Sequence, residues 1–238
     1  MNQVIAMHGW SEDSNFWEAW EKSYQEHGWI WQSGERGYGS HQPVKPQWKD
    51  SKRVNASQCR AVIVHSLGAH LIEKKVLENA TAIVFLCSFG RFVPESKENR
   101  QLKAGLKGMY NKLGTNKEQD MIAKFLAKAS YPEASNMLPT NSIPHNISEK
   151  GRQKLKEDLN ILIEATGLPD GVTKEAKVLV INGREDAIVC TKARELLMKD
   201  LQNNNQKSIE LWDLPNAGHI LFKENLRSLV RDWLESCK

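Results

Sequence analysis

The stretch Ala61-Val62-Ile63-Val64-His65-Ser66-Leu67-Gly68-Ala69 decides how this chain folds. Its apolar, β-branched first half, Ala61 to Val64, reads as a strand buried on both faces, and Leu67 to Leu77 reads as the helix that follows. Ser66 stands at the junction. A serine on such a tight strand-to-helix turn has its hydroxyl presented above the end of the strand, which suits a nucleophile. Gly68 lets the two backbones approach, and the small Ala69 follows it. Val64, two residues before the serine, is larger than the residue such a turn normally takes.

Outward from the turn, apolar runs recur at Val4 to Met7, Gly28 to Gln32, Ala61 to His65, Ala82 to Leu86, Lys177 to Ile181 and Lys207 to Trp212. Helical patterns alternate with them, so the expected fold is α/β, a mostly parallel sheet of six strands with right-handed crossovers. Phe16, Trp17, Trp20 and Tyr24 share one helical face; Asn15 with Glu18 offers a capping pair, and His27-Gly28 closes the segment. The last helix carries Phe222, Leu226, Leu229, Val230 and Trp233 at helical spacing.

In a parallel sheet, ligands gather at the carboxyl ends of the strands. Two residues with the chemistry to serve Ser66 fall at such ends: Asp186 in Asn182-Gly183-Arg184-Glu185-Asp186, and His219 in Asn216-Ala217-Gly218-His219. The order Ser, Asp, His is one of those in which a nucleophile, its acid and its base occur. Ser66, Asp186 and His219 are therefore the candidate catalytic residues. The plainer reading makes them a helix cap, a helix start and a loop histidine. His8-Gly9-Trp10 follows the first strand, and there the N–H of Trp10, with that of Leu67, would form an oxyanion hole.

Length and composition set the bounds. At 238 residues, 40% hydrophobic and 26% charged, the chain suits a single domain. It has no apolar run long enough to span a bilayer and no basic-then-apolar leader, so a cytoplasmic monomer is expected. Cys59, Cys87, Cys190 and Cys237 lack metal or redox spacing and read as reduced, with Cys87 buried. His65 and His70 flank the turn without forming a metal-binding pattern, and the chemistry needs neither metal nor cofactor. A net charge of +4 without a basic-aromatic stripe excludes nucleic acid as the expected partner.

Between Cys87 and Lys177 the strand signal gives way to three amphipathic patterns. They are Leu102, Leu106, Met109, Tyr110 and Leu113; Met121, Ile122, Phe125, Leu126 and Ala129, opened by a Thr115 to Glu118 capping pair; and Leu155, Leu159, Leu162 and Ile163. Pro132, Pro139 and Pro144 mark the connection between the second and third. An insertion over about 90–165, between the nucleophile half and the acid-base half, would sit over the site as a lid. Trp10 and Phe125 are the candidate substrate walls. Basic residues gather in the same region: Arg91, Lys97, Arg100, Lys103, Lys107, Lys112, Lys117, Lys124 and Lys128 face only Glu95, Glu98, Glu118 and Asp120. Such a run is either a solvated helix face or a patch that steers an acidic partner.

These residues resemble the α/β-hydrolase superfamily over nearly the whole chain. Gly37-Tyr38-Gly39-Ser40 is similar to the turn after that family's second crossover strand, with Gly34 where an acidic residue often stands. The resemblance implies the α/β-hydrolase fold without its N-terminal antiparallel hairpin, and a truncated helix between Ser40 and Cys59. Within the superfamily, His8-Gly9-Trp10 with Trp17, Ser88-Phe89, and Asp158-Leu159-Asn160-Ile161-Leu162 resemble the pimeloyl-acyl-carrier-protein methyl ester esterases of biotin synthesis. That implies a serine carboxylesterase whose lid residues Arg91, Arg100, Lys103 and Lys107 dock an acyl-carrier protein. Two other functions remain open: a thioesterase or broad short-acyl esterase, since both chemistries pass through the same tetrahedral intermediate, and a non-catalytic binding protein on the same fold.

Overall fold

Apolar β-branched residues fill β1 (Gln3–Met7), β3 (Arg60–His65), β4 (Ala82–Leu86) and β5 (Lys177–Gly183), and these four form the centre of the sheet. In the computed structural model, which describes residues 1–49, 58–95, 99–134, 147–223 and 225–237, they are flanked by β2 (Ile30–Ser33) and β6 (Ser208–Leu214). The order is β2-β1-β3-β4-β5-β6, and every pairing is parallel. The continuous hydrophobicity of the central strands has its reason here, because helices cover both faces. β6 differs: as an edge strand it is partly exposed along its length.

Successive strand residues point to opposite faces, and they sort into two cores. Val4, Ala6, Ala61 and Ile63 meet Trp17 together with Trp20 and Tyr24 of α1 (Glu18–Gln25) and Leu226, Val230 and Leu234 of α8 (Leu226–Ser236). Ile5, Met7, Val62 and Val64 meet Ala69 of α2 (Gly68–Leu71), Val76 and Leu77 of α3 (Lys74–Glu78), and Leu197 and Leu201 of α7 (Thr191–Asn203).

A third core lies over the carboxyl ends of the strands. Leu106 of α4 (Asn99–Lys112), Met121, Ile122 and Leu126 of α5 (Glu118–Ser130), and Leu155, Leu159 and Leu162 of α6 (Glu149–Glu164) cluster with Trp10, Tyr38, Leu67 and Phe89. These are the three amphipathic patterns of the sequence.

Some local expectations are corrected. The first helical segment starts as a 3-10 turn, Ser14–Trp17, and the cap is Asp13, whose carboxylate accepts the Asn15 N–H at 3.0 Å; Asn15 and Glu18 are not the capping pair. Thr115 and Glu118 are not a capping pair either: α5 starts at Glu118 after Lys117, which makes no side-chain cap; Thr115 accepts the Lys117 N–H ahead of the helix, and the Glu118 carboxylate takes the Gly114 N–H and Arg152. In α8, Leu234 joins Leu226 and Val230 on the buried face, while Leu229 is exposed and Phe222 precedes the helix. Gly28 (φ 76) turns the chain into β2, as its position after α1 requires. All four cysteines are free, and Cys87 is buried. No helix among the described residues is long and apolar enough to cross a membrane. Pro139, Pro144, Lys97 and Glu98 lie outside the described residues, as does part of the Ser40 to Cys59 interval; its described part holds no helix.

Candidate active site

The strand order changes direction between β1 and β3, so the chain leaves these neighbours toward opposite sides and opens a crevice at their carboxyl ends. His8-Gly9-Trp10 leaves β1 and Ser66 leaves β3 at this point. Ser66 has φ 51, a left-handed conformation that a non-glycine residue adopts only where its surroundings impose it. Its N–H donates to the Leu86 carbonyl at 2.9 Å, and its own carbonyl accepts from the Ser88 hydroxyl at 2.6 Å. Gly68 explains the tightness: any Cβ there would collide with the Met7 carbonyl oxygen. Val64 is fully buried on the same face as Ala69, whose small side chain leaves it room.

Asp186 and His219 meet as their positions suggest. His219 Nδ1 lies 2.9 Å from Asp186 Oδ2, and both residues are buried. The other carboxylate oxygen, Oδ1, accepts the N–H groups of Ile188 and Val189 at 2.7 and 2.9 Å. Burial alone would raise the Asp186 pKa, but the His219 ring and these two N–H groups outweigh it and hold the group ionised below its usual range. With Nδ1 donating to Asp186, the tautomer leaves Nε2 able to accept a proton.

Two neighbours of Ser66 reach the loop that carries His219. On one side His65 places Nε2 3.0 Å from the His219 carbonyl. On the other, Cys87, one residue before the Ser88 that holds Ser66, donates its thiol to the Gly218 carbonyl at 3.5 Å. The Ser66 hydroxyl itself has no hydrogen bond among the described residues. Such contacts commonly tighten only when substrate arrives. The N–H groups of Trp10 and Leu67 are likewise without an internal acceptor among the described residues, whereas the Gly9 N–H is taken by Glu12 at 2.6 Å.

One metal-type cluster occurs among the described residues: Cys87, Asp186 and His219 have ligand atoms within 4.8 Å of one another. Burial pushes the Cys87 thiol well above its ordinary pKa and so keeps it protonated, and Asp186 already holds His219 through a proton. The set fits proton transfer better than chelation.

Above Ser66 is a cavity of about 440 Å³ lined by Trp10, Leu106, Met109, Met121, Phe125 and Leu162, apolar side chains of the third core. Trp10 stands edge-on to Phe125 at 5.0 Å and donates its indole N–H to the Leu155 carbonyl at 3.0 Å. Lys112, Lys124 and Lys128 also line the cavity and are exposed, so it opens toward solvent past a group of ammonium ions. Of the expected docking residues, Arg100, Lys103 and Lys107 are exposed on α4. Arg91 is partly buried, 3.3 Å from both carboxylate oxygens of Asp200 on α7.

The sequence assigned no role in the site to four groups that shape it. Glu12 belongs to none of the patterns, and His65 reads only as a flank of the nucleophile turn without a metal-binding pattern. Arg36 and Asp158, 122 residues apart, form a bidentate pair joining the turn after β2 to α6. Nothing local announces such a contact.

No protein-family model matches the chain, and no curated protein matches it. Solved structures do. An esterase from Exiguobacterium antarcticum aligns at TM-score 0.69 and 13% identity, over 99% of this chain and 92% of that one. The thermophilic esterase of Thermogutta terrifontis aligns at 0.64 and 14%, over 100% and 90%. The monoacylglycerol lipase of Paleococcus ferrophilus aligns at 0.62 and 15%, over 99% and 95%. At such identities the shared property is the architecture, and this chain has the α/β-hydrolase fold.

Proposed function

We propose that the protein is a serine carboxylesterase acting through Ser66, His219 and Asp186, and that its substrate is a pimeloyl-[acyl-carrier protein] methyl ester in biotin synthesis. The observations that carry the ester hydrolase reading are the strained Ser66, which lines an apolar cavity, and the buried His219–Asp186 pair, whose His219 carbonyl is held by His65, the residue before Ser66. Ser66 Oγ attacks the ester carbonyl while His219 Nε2 takes its proton. Asp186 steadies the imidazolium that forms. The Trp10 and Leu67 N–H groups receive the oxyanion, each such donor contributing roughly 3 to 4 kcal/mol in comparable sites. His219 then protonates the departing alcohol, and a water molecule, deprotonated by His219, releases the acid from Ser66.

The finer substrate assignment draws support from the cavity, whose apolar wall suits an aliphatic acyl chain, and from the lysines at its opening, which suit an acidic carrier. The sequence resemblance points the same way. The deciding experiment compares hydrolysis of methyl pimelate on its carrier with that of free methyl esters and of acyl-CoA, using wild type and Ser66→Ala. Preference for the carrier-bound methyl ester, lost in Ser66→Ala, supports the proposal. Preference for acyl-CoA makes the protein a thioesterase, and turnover undiminished in Ser66→Ala removes Ser66 from the mechanism.

A further inference from the structure

Beneath the oxyanion turn lies a buried ion pair that the mechanism above does not use. Glu12 Oε2 accepts the Gly9 N–H at 2.6 Å and lies 2.9 Å from His65 Nδ1, while His65 Nε2 lies 3.0 Å from the His219 carbonyl oxygen. Glu12 and His65 are both at most 5% exposed. A carbonyl oxygen can only accept, so Nε2 carries a proton; a carboxylate also only accepts, so Nδ1 carries one too. His65 is therefore an imidazolium, sandwiched between the Phe16 ring, stacked at 4.8 Å, and the His219 ring, tilted at 4.8 Å.

We infer that Glu12 and His65 act as one positioning unit, which ties the oxyanion turn, the nucleophile turn and the loop of the base into a single hydrogen-bonded chain. The inference rests on the esterase reading above. One end of the chain is the backbone N–H of Gly9, next to the Trp10 donor; the other is the backbone of His219; and His65 is the residue before Ser66. The three reacting parts come from the ends of β1, β3 and β6, which have no covalent reason to stay in register with one another.

Two physical arguments favour a positioning role over plain stability. Removing two charges from water is expensive, and a buried pair of this kind is commonly no more stabilising than apolar residues of similar size. Here both ends of the pair are also aimed at backbone groups of the site, Glu12 at the Gly9 N–H and His65 Nε2 at the His219 carbonyl. The second argument concerns charge. Paired, Glu12 and His65 are neutral together, whereas Glu12 alone would put a bare carboxylate under the turn that must receive an oxyanion. The pKa directions agree with the pairing. Burial opposes ionisation of both groups, yet the Glu12 pKa is lowered and that of His65 is raised, each by the other.

The test uses the full chain, wild type and the variants Glu12→Gln, His65→Phe and His65→Gln, each shown to be folded by circular dichroism. His65→Gln keeps an N–H for the His219 carbonyl and serves as the decisive variant if the phenylalanine does not fold. With p-nitrophenyl butyrate, Glu12→Gln and His65→Phe are expected to lower kcat about 10- to 100-fold with KM changed less than about threefold, the size of effect that misplacement of reacting groups produces. His65→Gln should lose less. The double variant Glu12→Gln/His65→Phe should fall no further than the worse single one, because the two residues act as a unit. Nitrogen-15 NMR of wild type should show both His65 ring nitrogens protonated at neutral pH. Folded variants with unchanged kcat, a loss confined to KM, or a neutral His65 ring would overturn the inference. A fluorophosphonate probe separates it from the underlying reading. Wild type that does not label overturns the esterase assignment and this inference with it, whereas variants that label as fast as a reactive wild type overturn the inference alone.

Discussion

Asp158 is fully buried, and its two carboxylate oxygens meet the guanidinium of Arg36 at 2.6 and 2.7 Å, with the Tyr38 hydroxyl donating to the same carboxylate at 2.5 Å. This contact fastens α6, whose Leu162 lines the cavity and whose Leu155 carbonyl holds the Trp10 indole, to the turn after β2. Burial and the neighbouring carboxylate push the Tyr38 hydroxyl well above its ordinary pKa, so it remains a donor. Replacing Asp158 with alanine leaves a guanidinium and a phenol without their acceptor. The expected cost is about 3 kcal/mol, at the low end for breaking a buried pair because Arg36 is partly exposed. Urea unfolding measures it, and a loss below about 0.5 kcal/mol, the size of an ordinary surface substitution, would show that the contact does not hold α6.

Gly68→Ala addresses the nucleophile turn. The added methyl would meet the Met7 carbonyl oxygen, which belongs to a central strand and cannot yield cheaply. A destabilisation of about 3 kcal/mol is expected, with esterase activity falling further than stability does, since the turn that strains Ser66 must open. A variant with wild-type melting and turnover would contradict the close approach.

Asp186→Asn probes the base. The amide can still accept from Ile188 and Val189, but it no longer favours the required His219 tautomer or the imidazolium. Turnover of an activated ester should fall about a thousand- to ten-thousand-fold with little change in KM. A drop of less than tenfold would remove Asp186 from the role of orienting acid.

The Glu12–His65 pair predicts a stability plateau in pH. Glu12 is held below its ordinary 4.5, so its contribution is present above that value and fades as pH falls through the lowered pKa. His65 is held above its ordinary 6.5, so its contribution is complete below that value and fades as pH rises through the raised one. The stability advantage of wild type over His65→Phe should thus be largest between pH 4.5 and 6.5 and shrink on either side. Urea titrations across pH would show it, and a difference independent of pH would mean that the pair is not ionic.

Charge reversal at Lys103 and Lys107 tests the proposal that a carrier protein docks on α4. Both are exposed on α4, well placed to feel an acidic carrier without touching the reacting atoms. KM for a carrier-bound ester should rise more than KM for a free one, and the difference should shrink with added salt. Equal effects on both substrates would place carrier recognition elsewhere.

Much of the architecture was legible because its signals are local. A strand buried on both faces must be apolar throughout, so β1, β3, β4 and β5 were visible as runs, and α1 and α8 showed as stripes. Leu67 to Leu77, read as one helix, is instead broken by extended backbone at Ile72 and Glu73 into α2 and α3, and α7 was not read as a stripe of its own. The edge strand β6 was found from the same kind of run, though not its exposure, which depends on the absence of a neighbour. The capping of the first helix went to Asp13 instead of Asn15 because both side chains suit the role and only the entry angle of the chain chooses between them.

Sequence by itself determined the alternation of strand and helix, the placing of Ser66, Asp186 and His219 after three different strands, and a helical segment between them. These follow from residue type and spacing along one chain. Tertiary structure alone decided that His219 meets Asp186, that Arg36 takes Asp158, and that Glu12 reaches both Gly9 and His65. The reason is physical. A buried polar group must find a partner somewhere, but which partner depends on where the strand order β2-β1-β3-β4-β5-β6 brings distant loops together.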